Sequence, residues 1–167
     1  LGNLININVD KHPFIGGIVI SVSMGMFLTL PISSAAIGIM LGLSGLASGA
    51  ATIGCCCQMV GFAVMSFKEN KVGGLISQGI GTSMLQMPNI IRHPQIWIPP
   101  ILSSAILAPV STMVFKMVSN PVGSGMGTSG LVGQFSAYAV MVGAGTHPAT
   151  AVIQIMAMHF ILPALVT

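Results

Sequence analysis

The tripeptide Gly-Thr-Ser occurs twice in this chain, at Gly81-Thr82-Ser83 and Gly127-Thr128-Ser129, with a weaker echo at Gly145-Thr146-His147-Pro148. The first leads into Gln86 and Asn89, the second into Gln134. All three lie at glycine-rich interruptions between apolar runs. Glycine lets the backbone turn and lets a ligand come close to it. Hydroxyls and amides then donate and accept hydrogen bonds without carrying charge. That chemistry suits a neutral, polyhydroxylated solute. The expected site lies where the two breaks meet, lined by Thr82, Ser83, Gln86, Asn89, Thr128, Ser129 and Gln134, with His147 as an addition. The competing reading makes the same groups glue between helices.

Other chemistry is sparse. Cys55, Cys56 and Cys57 are adjacent, and adjacent helical residues point about 100° apart, so they do not converge on a metal. They read as small apolar residues buried in a bundle. Gln58 and Gln154 are lone amides in apolar helices, suited to interhelical hydrogen bonds. His12 and His93 each sit beside a basic residue at an edge and read as solvated. His147 and His159 are about 120° apart if helical, with Pro148 between them. No metal, cofactor or catalytic residue is expected. Asp10 and Glu69, the two acidic residues, both fall in polar stretches. No carboxylate therefore reads as buried in an apolar run, where ion-coupled transporters commonly keep one.

The elements that must position these groups are membrane helices. Of 167 residues only 4% are charged, against about 25% in soluble domains. His12–Phe67 and Met117–Thr167 contain no Asp, Glu, Lys or Arg. The mean hydropathy is +0.95. A body this size would need more surface charge to stay in water. The five Lys and Arg are scattered, so they make no phosphate-binding cluster and exclude nucleic acid as a partner. A β-barrel would show ten-residue alternation and aromatic girdles, but the apolar runs are continuous. The expected class is an all-α integral membrane protein: a polytopic bundle with broken helices and re-entrant Gly-rich hairpins, its partner the lipid bilayer.

Along the chain, Asn3–His12 reads as an interfacial lead-in and Phe14–Leu30 as a span ended by Pro31. Ile32–Phe67 would be about 54 Å long as one helix, against a hydrocarbon core of about 30 Å. It must break, and segments near Ser34–Ala47 and Ala51–Phe67 are expected. Lys68-Glu69-Asn70-Lys71 reads as an aqueous loop. Val72–Ile91 is uncharged but rich in Gly, Gln and Ser, and charged residues flank it on both sides. Such backbone at membrane depth must be covered by protein or line a wet cavity, so this stretch is expected to be re-entrant. Ile96–Phe115 is the next span. Asn120–Gly133 is a loop or a second re-entrant tip, and Leu131–Ala144 and Ala149–Val166 close the sequence. Gly17, Ser21, Gly25, Gly38, Gly42, Gly45 and Gly49 should face other helices. The lysines and arginine do not settle the orientation.

Four stretches together carry a resemblance: Leu30 to Ala36, Gly54 to Ala63 around the three cysteines, Gly81 to Ile90, and Gly125 to Gln134. With them the chain, from about Phe14 onward, resembles phosphotransferase-system sugar transporter subunit IIC proteins of the perfringolysin O regulator-like type. The resemblance implies a sugar-translocating subunit, multi-pass in a bacterial cytoplasmic membrane and homodimeric. It also implies phosphorylation supplied by cytoplasmic phosphotransferase subunits. Family members are roughly twice this long, which makes residues 1–167 one transmembrane domain, the C-terminal half of a longer permease. The acidic sugar-binding motif and paired histidines of better-known IIC subunits are not evident, and no phosphocysteine domain is present. Two other readings stand beside it: a membrane sensor that regulates gene expression, and a passive channel or carrier for another small solute.

Overall fold

A computed structural model describes residues 2–167. Among them there is no strand, and the chain forms an all-α membrane helix bundle. Three helical stretches are long and apolar enough to cross a membrane: Gly45–Met65, Pro94–Val114 and Pro148–Val166. Pro13–Thr29 is apolar but shorter.

The axis of the bundle is α4 (Gly45–Met65), whose residues from Ala47 to Ala63 are all buried. Around it lie α1 (Gly2–Lys11), α2 (Pro13–Thr29), α3 (Ser34–Met40) and α5 (Phe67–Ile76), then α6 (Met87–Arg92) and α7 (Ile98–Pro109). The short α8 (Pro121–Ser124), α9 (Val132–Gly143), α10 (Pro148–Met156) and α11 (Leu162–Val166) complete the chain. Outer helices keep apolar faces uncovered. On α7 and its continuation, Ile98, Leu102, Ile106 and Met113 are all more than half exposed. In a bilayer this costs nothing, since lipid tails are as apolar as the side chains.

Glycine sets how close the helices come. A Cβ at Gly25 of α2 would stand 2.6 Å from the Gly54 carbonyl oxygen, and one at Gly54 would run into the Ser21 carbonyl. The α2 and α4 backbones therefore touch. Gly49 meets Met117, Gly17 meets Thr112, and Gly38 meets Ser124 and Pro121 in the same way. Gly42 and Gly45 depart from the expectation: both have positive φ, near 58° and 56°, and nothing lies within 4 Å of an added Cβ. They make the turn between α3 and α4 and face no helix. The break in Ile32–Phe67 thus falls at Leu41–Ser44 rather than after Ala47. There Asn6 of α1 donates to the Gly42 carbonyl at 2.9 Å, and its Oδ1 accepts from Ser44 N at 3.2 Å.

Two helical hairpins lie against α4. The first runs through α5, a π-helical turn at Ser77–Gly81, a 3-10 turn at Ser83–Gln86, and α6. Its arms begin and end beside one pocket, which Asn70 and Asn89 both line. The second leaves Asn120, whose carbonyl accepts from Ser48 near the start of α4. It passes α8, turns at Gly127 and Gly130, both with φ near 53°, and returns along α9. Ala137 and Met141 of α9 share a cluster with Met117, which packs on Gly49. The first hairpin therefore stands at the C-terminal end of α4, and the second at its N-terminal end.

Candidate functional site

The tips of the two hairpins touch. The Ser129 hydroxyl donates to the Gly81 carbonyl oxygen at 2.9 Å. Each tip lacks the geometry of a plain α-helix for a local reason. Thr82 is extended, and its Oγ1 accepts from Met84 N at 3.2 Å, capping the 3-10 turn. Gly127 sits where a Cβ would press on Cys55 at 2.6 Å, so only glycine lets this turn lie on the axial helix.

The polar groups of the first hairpin form a relay. Gln86 Nε2 donates to Gln78 Oε1 at 2.9 Å, and Asn89 Nδ2 donates to Gln86 Oε1 at 2.9 Å. Gln78 and Gln86 are buried, whereas Asn89 is exposed. The relay opens into two adjoining cavities, of about 400 and 450 Å³. Both are lined by Asn70, Gln86 and Asn89. Ser66, Glu69 and His93 complete the polar lining of the first, with Phe62, Met65 and Ile96 as apolar wall. Gly73, Gly74, Ser77 and Gln78 line the second. These sizes fall in the range of small-molecule sites, about 300–1,000 Å³.

Beneath the relay is a second polar cluster. Gln58 of α4 is fully buried, and its Oε1 accepts from Trp97 Nε1 at 3.0 Å and from the Thr29 hydroxyl at 3.3 Å. Thr29 Oγ1 lies 3.0 Å from Ser83 Oγ. Gln58 Nε2 has no protein partner.

The residues expected from the sequence divide among these features. Gln86 and Asn89 line the cavities, Thr82 caps the turn above them, and Ser83 belongs to the Gln58 cluster. Thr128 is buried with its hydroxyl unpaired, while Ser129 makes the tip-to-tip bond. Gln134 faces the other way: its Nε2 lies 3.0 Å from Nδ1 of buried His159 and 3.6 Å from Cys56 Sγ. His147 is exposed, and its Nδ1 accepts from Ala149 N as the cap of α10. Neither cavity at Gln86 includes Thr128, Ser129, Gln134 or His147. Glu69, Asn70 and His93 belong to the cavity, although in the sequence they read as aqueous edges. Their signal was their place at the two feet of the suspected hairpin, which must lie side by side if it returns to the end it left. Cys55, Cys56 and Cys57 are buried, and among the described residues no group of three or more His, Cys, Asp or Glu could hold a metal.

A bundle of apolar helices around a buried axis, with two interrupted hairpins meeting tip to tip, puts broken helices inside the bundle, a feature that many membrane transport proteins share. Over residues 1–167 the chain matches the family described as Phosphotransferase system, EIIC, and it belongs to that family. It is, in general terms, a membrane subunit of phosphotransferase sugar transport. Comparison with curated proteins and with solved structures gave no match.

Proposed function

We propose that the chain binds a neutral, hydroxyl-rich solute of the sugar class in the cavity at Gln86 and Asn89, and passes it between the two hairpin tips. The observation that carries this reading is the Gln78–Gln86–Asn89 relay opening into a cavity lined by Glu69, Asn70 and His93. Each amide in the relay keeps donors or acceptors to spare. The Glu69 carboxylate accepts from hydroxyls, and the Phe62 and Ile96 wall suits the apolar face of a sugar ring. The broken backbone at Ser77–Ser83 supports the same reading, since interrupted helices at a hairpin tip are where transporters of several folds hold their solute. In this reading both hairpins are re-entrant, and cytoplasmic phosphotransferase proteins supply the phosphoryl group. A homodimer belongs to the same proposal, with the exposed apolar stripe of α7 as one face available for it. The sensor and passive-carrier readings have no specific observation in their favour.

The test is equilibrium binding of free hexoses, N-acetylhexosamines and polyols to the detergent-purified protein. At least one should bind. Gln86→Ala should weaken that binding by about 1–3 kcal/mol, the cost of leaving a buried partner unsatisfied, with the folded state retained. Saturable binding to none of them would overturn the reading.

A further inference from the structure

The amide of Gln58 points to a second, deeper subsite. Its orientation is fixed by chemistry. Trp97 Nε1–H can only donate, so the atom facing it at 3.0 Å must be the amide oxygen. The single Thr29 hydroxyl proton has the same oxygen and the Gly25 carbonyl oxygen both within reach at 3.3 Å. A flipped amide would set N–H against N–H. Both N–H groups of Nε2 are therefore turned away from Trp97, fully buried and without a protein acceptor.

Residues that line the cavity at Gln86 are near neighbours in sequence of the Gln58 cluster. Phe62 lines the cavity, and Gln58 stands one helical turn deeper on the same face of α4. Gln86 lines it, and Ser83, at the start of the same 3-10 turn, joins Thr29 and so the Gln58 cluster. Ile96 lines it, and Trp97 is the next residue. Three separate elements thus join the lining of the cavity to the same buried amide, and no charged side chain is bonded to it.

We propose that Gln58 is the floor of an inner subsite, where its free N–H donates to a hydroxyl oxygen of a neutral sugar or polyol that has moved inward past Gln86. The inner subsite rests on reading the outer cavity as solute-binding. Trp97 and Thr29 are positioning residues: they hold the amide so that its donors, not its acceptor, meet the solute. This subsite selects for a hydroxyl at one position of the solute.

The experiment titrates the purified protein with the same panel of hexoses, N-acetylhexosamines and polyols. It then uses the set of singly deoxygenated analogues of whichever compound binds. Gln58→Met keeps the length of the side chain and removes the amide. Affinity for the parent compound should fall about tenfold or more, by the loss of one buried hydrogen bond. One deoxy analogue, weak on wild-type protein, should lose nothing further on Gln58→Met. Parent affinity unchanged in Gln58→Met while Gln86→Ala binds weakly would overturn the inner subsite and leave the outer one standing. No binding to wild-type protein would overturn both. Trp97 is the chain's one tryptophan, so its fluorescence gives a readout that needs no folded variant. Saturation should shift its emission maximum, because the amide that its indole bonds gains a new partner. An unshifted maximum at saturating solute would overturn the proposal.

Discussion

At the scale of single residues, what separates a binding group from a fastening group is whether its amide faces a polar cavity that can take the solute. Gln134 bonds its Nε2 to His159 and Cys56, leaves its Oε1 buried without a partner, and lines an apolar cavity apart from those at Gln86. Gln86 spends one donor and one acceptor, yet lines both of the latter. The two glutamines should therefore part company on truncation. Gln134→Ala should lower unfolding stability by about 1–3 kcal/mol, because it strands the buried His159 nitrogen, while affinity for the bound sugar stays at the wild-type level. Thermal melts with and without solute check both halves. Lost affinity at unchanged stability would return Gln134 to the solute site. The sequence could not make this distinction. Both glutamines follow a Gly-Thr-Ser motif by similar spacing, and only the neighbour across the helix interface, twenty-five residues away in the case of His159, reveals which way each amide faces.

At the scale of elements, the interruptions were legible and their exact places were not. A charge-free run from Ile32 to Phe67 cannot be one helix in a bilayer, whatever its details. Which glycine carries the turn depends on φ, which composition does not report. Gly42 and Gly45 take positive φ in open space, whereas Gly49 and Gly54 take ordinary helical geometry against a neighbouring backbone. The consequence is a sharp division among glycines. Gly54→Ala drives a methyl into the Ser21 carbonyl and should cost about 1–3 kcal/mol or more by overpacking. Gly143→Ala, at the end of α9 with nothing within 4 Å, should be neutral or stabilise by up to about 1 kcal/mol through reduced freedom of the unfolded chain. Melting temperatures of the two variants in one detergent test this. Equal melting would mean that α2 and α4 do not touch through their backbones. Gly42 falls in neither group: a Cβ there meets nothing within 4 Å, but a Leu must adopt the left-handed conformation, at about 1–2 kcal/mol.

At the scale of the whole molecule, the hairpins divide the charges that the sequence left unassigned. Lys68 and Lys71 follow the end of α4, and Arg92 precedes His93 at the same cavity. Lys116 adjoins Met117, which packs on Gly49 near the start of α4, and Lys11 ends the helix whose Asn6 binds Gly42 and Ser44. Three basic residues thus stand at the cavity end and two at the other. Scattered cations could not be sorted before it was known that Val72–Ile91 returns to the end it leaves. Basic residues near span ends favour the cytoplasm. The expected orientation therefore turns the Gln86 cavity to the cytoplasm, where the proposed function has a phosphorylated partner protein meet the solute. Cysteine accessibility tests it directly, because the three native cysteines are fully buried and give little background. Lys68→Cys should react with a membrane-impermeant maleimide in inverted vesicles and not in intact cells. Lys116→Cys should show the opposite pattern. Labelling of both from one face would mean that the hairpins do not approach from opposite sides, and their tips would then no longer mark a path across the membrane. Reversed labelling of the pair would keep that path but turn the cavity outward, making it the place where solute is captured rather than the place where it is released to phosphorylation.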